Sequence, residues 1–205
     1  MISMDILTEN ITNNLDEKIE EINHLNRIIN RENFRNVNSY NLLSQYYPSI
    51  FYSILEGFFK DSIREYFLFL NRNNLIIGDI DLLTNVINHN DILKESYVHY
   101  NSKKNLLKKI KETFDKPLFE NKRPHIDFSE RKKLNKYLKR IHLNEIDKNY
   151  DDKLNKLVMV RHKCVHGDNP LPNQINDLEE YSNLVISLMK LLEDNIINTC
   201  IKLLN

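Results

Sequence analysis

"NVNSYNLLSQYYPSIFYSILEGFFKDSIREYFLFLNRNN", residues 36–74, decides the fold class by its spacing. Ile50, Ile54, Leu55, Phe58, Phe59, Ile63, Tyr66 and Phe67 recur at the three-to-four-residue step of a helix, not the two-residue step of a strand. They cover well over half of the helix circumference, which places this element at the centre of a core. Pro48 either kinks this helix or sits in the first turn of its second part, and the latter is preferred because its missing N–H would leave no hydrogen bond broken there.

The flanking segments follow the same period. Residues 5–30 carry Ile6, Ile11, Leu15, Ile19, Ile22, Leu25 and Ile29 as one apolar stripe opposite a polar face. Residues 75–90 open with a strand-like run, but Asp79 or Asp81 as a cap turns the reading to helix. Residues 91–115 and 129–143 continue the helical pattern, separated by "DKPLFENKRPHIDF" (115–128), whose two prolines and lack of period mark a loop. A helix is expected from Asp147 to Val165, with Leu154, Leu157, Val158, either Val160 or Arg161, and Val165 along it. "GDNPLPNQ" (167–174) ends it, with Gly167 at the C-cap. Ile175–Leu204 reads as a long amphipathic helix bearing Leu178, Tyr181, Leu184, Val185, Leu188, Leu191 and Leu192. The expected fold is all-α, in one domain over residues 1–205.

Composition agrees and narrows the function classes. Only 3 Gly and 5 Pro occur, with no Ala or Trp, a turn-former content that favours long helices over a many-stranded fold. Lys plus Arg balances Asp plus Glu at 29 each, which excludes a strongly basic nucleic-acid-coating protein but permits a local basic surface. Cys164 and Cys200 make no disulfide framework and fit a reducing compartment. The opening "MISMDILTEN" lacks a basic n-region and a long apolar run, and no apolar stretch approaches the ~20 residues of a membrane span, so a cytoplasmic location is expected.

"VRHKCVHGDNP", residues 160–170, concentrates Arg161, His162, Lys163 and His166 in the last turns of a helix. A basic C-terminal turn that complements the helix dipole explains each residue singly, at about 0.3–1 kcal/mol apiece. The combination asks for more. The helix "KLVMVRHKCVHG", a polar Pro-containing loop and a long closing helix together resemble the HEPN superfamily of all-α proteins. Its ribonuclease members carry an Arg, four to six residues, then a His, with a polar residue after the Arg; Arg161, His162 and His166 match this pattern. "YPSIFYSILEGFFKDSIREYFLFLN" is similar to the early HEPN helix that often bears an acidic residue, here Glu56. The likeness covers the two ends of the chain, leaving residues 75–145 as a family-specific helical insertion.

The resemblance implies metal-independent RNA cleavage, without a cofactor, in a composite cleft of a homodimer. Arg161 and His166 are the implied catalytic pair, His162 and Glu56 their support. Five residues separate Arg161 and His166 by about 140° around the helix and about 7.5 Å along it, so they flank a groove rather than share a face. A second copy about a two-fold axis would set two Arg and two His around one cleft. The ribose 2′-hydroxyl can attack its own 3′-phosphate once a neutral imidazole, of ordinary pKa about 6.5, accepts its proton. An always-charged guanidinium fork stabilises the phosphorane, and the products carry 2′,3′-cyclic phosphate ends.

Other readings stand beside this one. His162 and His166, four apart, could seat a metal, but the Glu of a zinc-protease helix and a downstream His are missing, so no metal is expected. Glu56 and Lys60 are spaced for an i,i+4 ion pair, although Glu56 could instead orient Arg161 across a helix interface. Cys164 and Val165 read as packing. Lysines and arginines between residues 103 and 140, interleaved with aromatics, are where RNA backbone contacts are expected; Lys132, Lys133 and Lys136, with Lys163, are the candidates. The expected function is an endoribonuclease acting as a toxin or defence effector, with RNA, a second copy and an antitoxin or other regulator as partners. The alternative is a non-catalytic RNA- or nucleotide-binding or dimerisation module.

Overall fold

A computed structural model describes residues 4–35, 37–73, 126–166 and 175–204. Five α-helices lie in these segments: α1 (Met4–Arg35), α2 (Val37–Arg72), α3 (Arg131–Arg140), α4 (Asp151–His166) and α5 (Ile175–Leu204). No strand occurs among the described residues. The expectations for residues 75–125, including the Asp79 or Asp81 cap, and for Gly167 and residues 167–174 lie outside the described residues.

α2 is the centre of the bundle, and packs against α1, α4 and α5. Phe51, Phe58, Phe59, Ile63, Tyr66 and Phe67 are fully buried on it, because a helix with neighbours on several sides has little circumference left for water. Ile50 departs from the expectation and is exposed. Pro48 departs too: it sits inside an uninterrupted 36-residue helix. The lost hydrogen bond is outweighed by packing on both sides of it, where Tyr47 and Phe51 are buried.

α1 buries Leu7, Ile11, Leu15, Ile22 and Ile29, a row at steps of four and seven. Leu7, not Ile6, continues this row at its start, and Ile6 faces solvent. α5 runs along α1 and α2 and buries Leu178, Tyr181, Leu184, Val185, Leu188 and Leu192, with Met189, Ile196 and Cys200. Burial pushes the Cys200 thiol up to about 12, which makes it inert. Among the described residues no helix is long and apolar enough to cross a membrane.

The helix expected over 129–143 is shorter at both ends. Residues 126–130 are non-helical, with Ile126 and Phe128 buried, and α3 stops at Arg140. Beyond it His142 takes a left-handed φ of 60°, and Leu143 N–H reaches back to the Leu138 carbonyl at 2.9 Å, which closes the helix end. The helix expected from Asp147 begins instead with a 3-10 turn, Lys148–Tyr150, capped by the Asp147 carboxylate accepting from Asn149 N–H. α4 starts only at Asp151.

Two asparagines hold the irregular connection between α3 and α4. Asn135 pairs with both backbone groups of Ile146, at 2.9 and 2.8 Å, and Asn195 of α5 does the same for Asn144, at 2.9 Å each. Each side-chain amide thus supplies the donor and acceptor that a neighbouring strand would otherwise provide. Arg131 adds a bond to the Ile146 carbonyl and a two-pronged pair with Asp151, which holds that carboxyl below its ordinary range. Asn135→Ala strands the buried Ile146 N–H, and is expected to lower unfolding free energy by about 2 kcal/mol in urea titration. An unchanged midpoint would show that water replaces the amide.

Candidate functional site

The last turns of α4 lie against the middle of α2. The half-buried Cys164 thiol donates to the Gln45 carbonyl at 2.9 Å, consistent with packing and not with an open nucleophile. Val165 does not pack: it is 58% exposed, because it faces away from the α2 side that Cys164 occupies. Leu154 and Leu157 are buried earlier in the helix, and Met159 is exposed.

Arg161 is half-buried, with its guanidinium carbon 5.0 Å from the centre of the Tyr52 ring. A guanidinium over an aromatic face is held by the ring quadrupole, at about 0.5–2 kcal/mol depending on desolvation. His162 and His166 are both exposed, and their rings lie 4.1 Å apart at an interplanar angle of 38°. One helix end therefore carries a cation held over an α2 ring and, turned to solvent, a pair of imidazoles in tilted contact. Lys163 is exposed on the same turn.

Glu56 does not pair with Arg161 among the described residues. Its carboxylate accepts from Lys60 at 2.5 Å, the i,i+4 partner one turn along α2. It stands one turn from Tyr52, whose ring meets Arg161. Burial, then the charges of Glu56 and Asp127, push the Tyr52 phenol up to about 12 against the opposing pull of Arg161. The phenol is therefore protonated at neutral pH. Tyr52 is the member of this cluster that sequence reading missed, since one aromatic in a core helix looks like packing. The available signal was its position one turn before Glu56 on α2.

The α3 region borders the same cluster. Phe128 meets the Tyr52 ring edge-on at 6.3 Å and the Phe59 ring at 5.2 Å. Lys133 reaches Asp127 at 3.3 Å, Glu130 at 3.9 Å and the Ser129 hydroxyl at 2.9 Å, so much of its charge is met locally. Lys132 and Lys136 are exposed on α3. The basic residues at 103–123 lie outside the described residues. Among the described residues, no third His, Cys, Asp or Glu joins His162 and His166 into a metal-binding group.

An all-helical bundle whose penultimate helix ends in Arg161, His162 and His166 against a long closing helix has the form of a HEPN protein. The chain belongs to the HEPN superfamily: residues 13–198 match the RiboL-PSP-HEPN family. No significant match was found among curated proteins or solved structures.

Proposed function

We propose that the protein is a metal-independent endoribonuclease that cleaves RNA through 2′-hydroxyl attack. The observation that carries the reading is the end of α4, where Arg161, held over the Tyr52 ring, and the exposed His166 lie five residues apart. His166 takes the 2′-hydroxyl proton as the oxygen attacks the adjacent phosphorus, Arg161 balances the added negative charge, and a second proton donor meets the leaving 5′-oxygen. One end is a 2′,3′-cyclic phosphate and the other a 5′-hydroxyl. His162, its ring 4.1 Å from that of His166, supports it, and Glu56, held by Lys60 one turn along α2 from Tyr52, is the acidic residue of the cluster. Lys163, Lys132 and Lys136 are the proposed RNA-backbone contacts, supported by their exposure, whereas much of the Lys133 charge is met by Asp127.

A second copy completes the cleft in this reading. Leu42, Tyr46 and Ile50 are 59%, 48% and 36% exposed and stand at i, i+4 and i+8 on α2, one apolar stripe. The Cys164–Gln45 contact sets the end of α4 beside that stripe. HEPN membership supports a setting as a toxin or defence effector under the control of an antitoxin or other regulatory protein.

The test is a labelled RNA oligonucleotide incubated with the protein in excess chelator. Cleavage with cyclic-phosphate ends is expected, and a single 2′-deoxy substitution at the cut site should abolish cutting there. Binding without cutting would favour a non-catalytic RNA-binding module, and a requirement for added metal would overturn the mechanism.

A further inference from the structure

The geometry points to Tyr52 as the positioning residue of Arg161: its ring face fixes the guanidinium and leaves every N–H donor free for a phosphodiester. This rests on the ribonuclease reading above.

An arginine that stabilises a phosphorane must be held still without having its donors used. A carboxylate partner holds a guanidinium by occupying two N–H groups and neutralising its charge. An aromatic face restrains it through the π cloud, and the five in-plane donors stay available. Among the described residues Arg161 has no carboxylate partner, and its recorded contact is the Tyr52 ring at 5.0 Å. The carboxylate nearest in role, Glu56, is engaged by Lys60.

The ring is itself well anchored. Tyr52 is 6% exposed, and Phe128 braces it edge-on, itself braced against Phe59. Since both Tyr52 and Phe59 lie on α2, the rigid helix and the segment before α3 together set the ring plane. The position of the guanidinium is therefore decided by α2, although Arg161 belongs to α4.

Two independent measurements test this. In the wild-type protein the Arg161 Hδ protons should resonate upfield of their free-arginine position through the ring current of Tyr52. The shift should persist in Tyr52→Phe and vanish in Tyr52→Leu. Hδ protons at the free-arginine position in the wild type would overturn the proposal whether or not the protein cuts RNA.

On the oligonucleotide, Tyr52→Phe should cleave as the wild type does. Tyr52→Leu should lose kcat by about 10²-fold, the usual cost of a misplaced catalytic group, with KM little changed. Progressively fluorinated phenylalanines at position 52, which keep the shape and weaken the quadrupole, should lower kcat stepwise. That gradient would not arise from packing alone, and it covers the case in which Tyr52→Leu fails to fold. Unchanged kcat across the fluorinated series, or an equal loss in Tyr52→Phe and Tyr52→Leu, would overturn the proposal and leave the ribonuclease reading standing. Absence of cleavage in the wild type with the ring-current shift present would do the reverse.

Discussion

Arg161→Ala is expected to lower kcat for RNA cleavage by about 10²–10³-fold, the usual cost of removing a fixed donor to a developing oxyanion. His166→Ala is expected to lower it by about 10²–10⁴-fold, the contribution of a positioned acid–base group. Their structural settings differ, and this makes the pair informative. His166 is exposed in the last turn of α4, so its loss leaves the bundle intact. Arg161 is half-buried on Tyr52, so the comparison needs Arg161→Lys, which keeps charge and stem but loses the planar fork. Recovery by lysine should be slight if the fork contacts phosphate in two places. Initial rates on a labelled oligonucleotide, with circular dichroism as a fold control, decide the matter. Full activity in either alanine variant would remove that residue from the chemistry.

Glutamates at positions 42 and 46 together are expected to convert an assembled protein to monomers and abolish cleavage. Leu42 and Tyr46 are already in water in the single chain, so Leu42→Glu and Tyr46→Glu should leave its stability nearly unchanged. Within a two-fold interface each substitution occurs twice, so the pair would bury four carboxylates in one apolar contact. At ~2 kcal/mol per position, self-association weakens about 30-fold for each substitution. Sedimentation over a range of concentrations reads the assembly, and cleavage measured in the same range reads the composite site. Wild-type protein that cuts RNA while strictly monomeric would sink the shared cleft. Assembly unaffected by the double substitution would place the contact elsewhere.

Arg161 and His166 stood out as candidates in the chain because Arg, His and a polar neighbour at that spacing before Gly and Pro form a local pattern. Their flanking relation follows from helix geometry alone. Their surroundings were harder to read. Glu56 was offered two partners by the sequence, Lys60 at i+4 or Arg161 across the helices, and the described structure seats it on Lys60. Tyr52 was hidden among apolar neighbours because the same residue type serves a core and a cation equally well. Asn135 and Asn195 carried no signal at all, since their partners are backbone groups of a segment without regular structure.

The apolar period by itself determined that the protein is all-helical and that α2 is central. That information is local: residues three and four apart share a face whatever surrounds them. Only the tertiary structure decided which edge of each stripe meets water. Leu7 is buried and Ile6 is not, and Val165 is exposed beside a packed Cys164, because a neighbouring helix covers one arc of the circumference and not the next. It likewise carried α2 on through Pro48, where packing on both sides outweighs one missing hydrogen bond. The same physics placed Arg161 on Tyr52, for two side chains 109 residues apart meet only when their helices do.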